Sequence, residues 1–153
     1  MASIQSAGLA ITLQGPNSAD PKRTNARLVA TCQVVFDHIE DCMMKACPDG
    51  LWFVLEARCF GEDHPQDHSR DTQLFFIQKR EFPGTDPSRV TFTMDTLADA
   101  FNEDRGPSLP ETLTFPLTPL GRDEIYVRLT LFNMFSNTVV AEAETNLVIG
   151  FFG

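Results

Sequence analysis

The alternation of apolar and polar residues through the last thirty positions, Asp123 to Phe152, limits most strongly what this chain can fold into. Ile125, Val127, Leu129 and Leu131 alternate with Tyr126, Arg128, Thr130 and Phe132. Beyond Asn133–Asn137 the pattern resumes. Val139, Ala141, Ala143, Thr145, Leu147, Ile149 and Phe151 share one phase, and Glu142 and Glu144 take the other. A period of two places successive side chains on opposite faces of a pleated sheet, so two long strands are expected here.

The same period recurs upstream. Gly8–Gln14 reads as a first strand with Leu9, Ile11 and Leu13 on one face, broken by Gly15-Pro16-Asn17. Arg27–His38 reads as a second, with Leu28, Ala30, Cys32, Val34 and Phe36 inward. Ile39–Gly50 fits either a short helical turn or a loop. Leu51–Phe60 reads as a third strand, with Phe53, Leu55, Ala57 and Cys59 inward and Trp52, Val54, Glu56 and Arg58 outward. Thr72–Phe82 is a fourth, apolar on both faces at Leu74–Ile77. Arg89–Asp95 is a fifth, followed by one helical turn at Thr96–Phe101 that pairs Leu97 with Phe101. Glu111–Leu117 is a sixth strand, with Pro116 placing it at an edge or an end.

About eight strands separated by Gly, Pro, Asp and Asn clusters predict an all-β, two-sheet antiparallel sandwich, with a closed barrel as the second choice. The chain has 153 residues and reads as a single domain, 1–153, without a linker or repeat. Thirteen Phe against one Tyr and one Trp suit such an interior, because Phe buries a large area and has no polar tip to satisfy. The one tyrosine, Tyr126, sits near the start of a late long strand, where immunoglobulin-like sandwiches place a tyrosine corner. No Cys lies near Arg128 to form the inter-sheet disulfide of antibody domains. The resemblance is one of architecture, Greek-key and immunoglobulin-like, and architecture assigns no function.

A net charge of −9 argues against a nucleic-acid or anionic-lipid partner, which requires a concentrated basic surface, and Lys22-Arg23 with Arg27 and Lys79-Arg80 are the only dense basic spots. No apolar run approaches a bilayer-spanning length, so no membrane span is expected. Met1–Gln14 lacks the charged start and apolar core of a secretory signal, which predicts a soluble, cytoplasmic protein. A mature secreted chain given a new start Met would read the same way. Cys32 and Cys59 fall in inward phases, and Cys42 and Cys47 fall in a connection. Free thiols are expected, with one disulfide as the alternative.

Three features are candidate sites. The stretch Gly61–Asp71 holds His64 and His68 among Asp63, Asp67 and other carboxylates, a donor set suited to a divalent metal. Its spacing matches neither the HExxH pattern nor an EF-hand, and a solvated acidic loop between two strands, needing no ligand at all, is the simpler reading. His38, Cys42 and Cys47 form a looser zinc-type set, against which stands a strand end with two ordinary thiols. Third, Trp52, Phe75, Phe132, Phe135 and Phe152 occupy phases or loops that a single core need not absorb, and exposed they would mark a contact surface. No catalytic residues are identified, because no GxSxG elbow, phosphate-cradling glycine loop or other spacing links the serines, histidines and carboxylates.

The leading expectation is a non-catalytic protein-interaction or structural module, self-associating through its aromatic surface and needing no cofactor. The first alternative is a metal-dependent enzyme or metal-binding protein built on His64 and His68. The second is a small-ligand or carbohydrate-binding sandwich with Trp52 as stacking platform.

Overall fold

Antiparallel pairing of alternating strands builds two sheets that pack face to face over one core. The computed structural model describes residues 1–62, 71–83, 89–102 and 122–152. The strands are β1 (Ser3–Pro16), β2 (Thr24–Val35), β3 (Leu51–Gly61), β4 (Thr72–Pro83), β5 (Arg89–Leu97), β6 (Asp123–Asn133), β7 (Thr138–Glu144) and β8 (Val148–Gly150). One helix, α1 (His38–Ala46), joins β2 to β3, and a 3-10 turn (Ala98–Phe101) follows β5. One sheet has the order β1-β2-β5. The other has the order β4-β3-β6-β7, with β8 also paired to β6. The chain crosses between sheets after β2, β4 and β5, which is the Greek-key path of an immunoglobulin-like sandwich, and the sheets do not close into a barrel.

Every inward position read from the β2, β3 and β6 patterns, apart from the half-buried Phe36, is buried. Leu28, Ala30 and Val34 face Leu55, Ala57 and Cys59, with Ile125, Val127, Leu129 and Leu131 beside them. Alanines at positions 26, 30 and 57 are fully buried in the same core as Phe92 and Phe101, with Ala30 opposite Phe92 in the β2–β5 ladder.

Three local readings change. First, β1 begins at Ser3 rather than Gly8. A register shift lies between Gln5 and Gly8, with Ser6 in the left-handed region (φ 52), and this interrupts the alternation that marks the strand. Second, the β2 strand ends at Val35, because Asp37 is the N-cap of α1. The Asp37 carboxylate accepts the Glu40 N–H (2.8 Å), and the Glu40 carboxylate accepts the Asp37 N–H (2.9 Å). This reciprocal capping box turns the ambiguous Ile39–Gly50 stretch into a helix.

Third, the long C-terminal strand is two strands, β7 and β8. Thr145 still pairs with Val127 through its own N–H (3.0 Å), while Val148 pairs with Ile125. One extra residue on the outer chain reverses the phase, so Leu147, Ile149 and Phe151 face solvent and Phe152 faces inward. The expected sixth strand at Glu111–Leu117 lies outside the described residues.

The break between β7 and β8 also ties the sheets together. The Asn146 side chain accepts the Leu9 N–H (2.8 Å) and donates to the Leu9 carbonyl (3.2 Å), acting as a one-residue piece of ladder between β1 and the second sheet. Asn146→Ala is expected to lower stability by about 1–2 kcal/mol in urea unfolding with an unchanged m value. Asn146→Asp should not restore it, because a carboxylate oxygen would then face the Leu9 carbonyl. Wild-type midpoints for both variants would contradict the clamp.

Candidate functional site

The two ends of the β3–β6 pair carry different chemistry. At the end where β3 starts and β6 finishes, Trp52 lies half-buried with its indole N–H donated to the Cys47 carbonyl (3.0 Å). Gly50 permits this approach, since a Cβ there would stand 3.0 Å from Trp52 Nε1 and 3.3 Å from the Cys47 oxygen. The β6–β7 hairpin folds over the ring. Met134 N–H donates to the Trp52 carbonyl (3.0 Å), and the Asn133 side-chain oxygen accepts the N–H groups of Phe135 (2.9 Å) and Ser136 (3.2 Å). That turn sets the Phe135 ring 4.6 Å from Trp52, centroid to centroid, while Phe135 stays 68% exposed.

Helix α1 forms the other wall. Ile39 and Met43, four residues apart on one helix face, are 69% and 48% exposed. Met43, Trp52, Phe53 and Phe135, with Glu40 and Asn133 at the margin, line an open and mainly apolar groove of about 360 Å³. Exposed Leu51 and Met134 flank Trp52 and Phe135 in the chain.

Of the five aromatics expected to form one surface, the structure brings Trp52 and Phe135 together. Phe152 is a correction: it is 7% exposed, packs on Phe101 (5.3 Å between centroids) and donates its N–H to the Asp123 carboxylate (3.0 Å). Gly150 makes room for its ring, because a Cβ there would come within 2.7 Å of it. Phe75 is half-buried, edge-on to the same Phe101 (5.5 Å). Phe132 is half-buried and pairs with Val54 in the β3–β6 ladder. Ile39 and Met43 went unread as surface residues, because their spacing has meaning only once Asp37 and Glu40 are recognised as a helix cap.

The opposite end is polar. Tyr126 donates its hydroxyl to Asp71 (2.8 Å) and accepts from Arg128 (3.0 Å), which also reaches Glu144 (3.1 Å). The Arg128 guanidinium lies 4.6 Å over Phe60, whose ring stacks with Tyr126 (5.5 Å, 15°). Burial, and then the bond to Asp71, push the Tyr126 phenol above its ordinary range, which keeps it neutral. The Tyr126 hydroxyl thus bonds a side chain far upstream in sequence. Its partners here make a chain of charge-assisted bonds from Asp71, just before β4, through β6 to β7.

The segment with Asp63, His64, Asp67 and His68 lies outside the described residues. Among the described residues no group of three His, Cys, Asp or Glu side chains is placed to hold a metal. His38 and Cys42 approach within 3.7 Å on α1, and Cys47 is the C-cap of that helix. No described helix is long and apolar enough to cross a membrane.

All four thiols are free. Burial raises Cys32 to about 11 and Cys59 to about 12, whereas Cys42 and Cys47 are exposed. Ellman's reagent at pH 8 should therefore label Cys42 and Cys47 in the folded protein, and Cys32 and Cys59 only after unfolding. Rapid labelling of all four in buffer would contradict the core placement of Cys32 and Cys59.

No family model matches the chain. No curated protein matches it either. Among solved structures, the chain is similar to a Northeast Structural Genomics Consortium target, SoR45, with TM-score 0.46 and 9% identity over 95% of this chain and 84% of that one. It is also similar to a Bacteroides uniformis beta-glucuronidase, with TM-score 0.39 and 15% identity. That match covers 90% of this chain but 12% of the enzyme. Likenesses of this strength assign neither a family nor a function.

Proposed function

We propose that the chain is a non-catalytic protein-interaction module whose contact surface is the Trp52–Phe135 end of the sandwich. The observation that carries this reading is Phe135, held two-thirds exposed against Trp52 by backbone and ring hydrogen bonds beside an apolar groove. A large ring fixed in solvent forgoes the transfer free energy that burial would supply, roughly 25 cal/mol per Å² of apolar area, and a partner restores it. Because the hairpin tip is already ordered, little entropy is lost there on binding. Met43 and Met134 adapt to the shape of what arrives.

The ligand-binding alternative has less support at this end. One face of Trp52 meets Phe135, and the indole N–H is already bonded. The polar groups at the margin are also engaged: Glu40 accepts the Ala2 and Asp37 N–H groups, and Asn133 holds the hairpin turn. A sugar would find few free partners for its hydroxyls.

A random-peptide display library panned against the folded domain should yield binders that lose affinity about tenfold or more on Phe135→Ala or Met43→Ala, with the unfolding midpoint of the Phe135 variant unchanged. Binders indifferent to both substitutions would place the contact surface elsewhere and sink this reading.

A further inference from the structure

The edge strands of the two sheets are guarded unequally. An edge strand exposes unpaired N–H and C=O groups, and charged side chains or bulges normally discourage another strand from joining it. The described edges are β1 and β5 in the first sheet, and β4 with β7 and β8 in the second. On β4 the run Lys79-Arg80-Glu81 supplies the charge. Arg89 and Asp95 supply it on β5, and Glu142 and Glu144 on β7. β1 has no charged residue, but two register shifts interrupt its ladder instead.

β8 has none of these devices. No residue from Thr145 to Phe152 is charged or a proline. Its pairing, from Ile125 opposite Val148 to Asp123 opposite Gly150, has no register shift. Among the described strands β8 pairs with β6 alone, so every second residue turns its backbone N–H and C=O away from the sheet. Leu147, Ile149 and Phe151 alternate along it and form one solvent-facing apolar row, with Ile149 and Phe151 each more than half exposed. Val148, between them, packs against the core and fixes the row in place. Two charges flank the row and are opposite in sign. Glu124 lies opposite Ile149, and the Arg122 guanidinium lies 5.6 Å over the Phe151 ring.

We propose that the chain forms a two-fold dimer in which β8 pairs antiparallel with β8 of a second copy, through Leu147, Ile149 and Phe151. Charge selects this occupant. Two chains of net charge −9 repel on approach and meet at least cost where neither presents a net charge. The row also matches itself. A two-fold axis at Ile149 sets that residue against its own counterpart and Leu147 against Phe151 of the second copy, so apolar faces apolar throughout. The pairing would join the two second sheets into one continuous sheet. It goes beyond the Trp52-end reading and does not rest on it, since β8 lies along the start of β6, whereas Trp52 lies where β6 finishes.

Sedimentation velocity of the full chain tests this. A monomer–dimer equilibrium is expected with a dissociation constant of roughly 10–100 µM, because a short strand edge is at the small end of specific interfaces. Raising NaCl from about 0.05 M to about 0.5 M should tighten the dimer several-fold, since salt screens the repulsion of two acidic chains. Ile149→Lys, at an exposed position, should abolish the dimer at an unchanged urea midpoint, and Phe135→Ala should leave it intact. With Cys42→Ser and Cys47→Ser in place, Ile149→Cys should cross-link the dimer under copper–phenanthroline, whereas Val139→Cys should not.

A chain that stays monomeric at about 0.5 mM in high salt overturns the proposal. A dimer that salt weakens, that Ile149→Lys leaves intact, or that Ile149→Cys fails to cross-link overturns it too. These outcomes leave peptide binding at the Trp52 end untouched. A dimer lost in Phe135→Ala would instead place the second copy at that end and overturn the β8 pairing.

Discussion

The antiparallel pairing of β3 with β6 is the interaction on which the rest of the structure depends. It runs from Phe53 opposite Asn133 to Gly61 opposite Ile125. One face of this ladder, Leu55, Ala57 and Cys59 beside Val127, Leu129 and Leu131, is the middle of the core. The other face is mixed: Val54, Phe60, Tyr126 and Phe132 surround Glu56, Thr130 and two arginines, with Arg58 directly opposite Arg128. Two like charges across a ladder repel, and the sheet offsets this from its neighbours. Glu56 pairs with Arg58 (2.9 Å) and Glu144 with Arg128 (3.1 Å), while the rings of Phe76 and Phe60 lie under the two guanidinium groups. The outer face is thus stitched by charge and π contacts, and the inner face by apolar burial.

Each end of the ladder becomes a different surface because each is finished differently. Where β6 ends, Asn133 turns the chain and Met134 bonds back to Trp52, so the hairpin and the start of β3 form one unit. Helix α1 is held against that unit through Cys47, whose carbonyl takes the Trp52 indole, and through buried Met44. Where β6 begins, Tyr126, Asp71 and Arg128 bind the sheet laterally. The first sheet is attached by the shared core and by Asn146 reaching Leu9, which joins two edges that carry no ladder between them.

The sandwich was legible because its central strands keep a period of two, which the fold turns into burial of one face at Leu28–Val34, Phe53–Cys59 and Ile125–Leu131, although Val54 and Tyr126 on the other face are buried as well. Legibility failed where one residue breaks that period. The extra residue near Asn146 exposes Ile149 and Phe151 and buries Phe152, the reverse of what a continuous alternation implies. The α1 helix was hidden for a related reason. Extending β2 through His38 absorbed Asp37, although Asp37 and Glu40 are three apart and bear a capping-box signature. Trp52 and Phe135 were recognisable as surplus to one core. Their meeting was not, since it depends on a hairpin turn and on a tertiary bond to Cys47. The histidine loop stays where the sequence left it, a donor set outside the described residues.

The central claim is that the groove at the Trp52 end is preformed rather than assembled by a partner. One tryptophan gives one indole N–H signal, and its hydrogen exchange measures this directly. If the Trp52 N–H is held by Cys47 and capped by the hairpin, that signal should be protected well beyond a free indole, exchanging with the opening of α1 and the β6–β7 turn. Exchange at the free-indole rate in the folded protein would mean that Trp52 moves independently of its surroundings, and the preformed groove would be refuted.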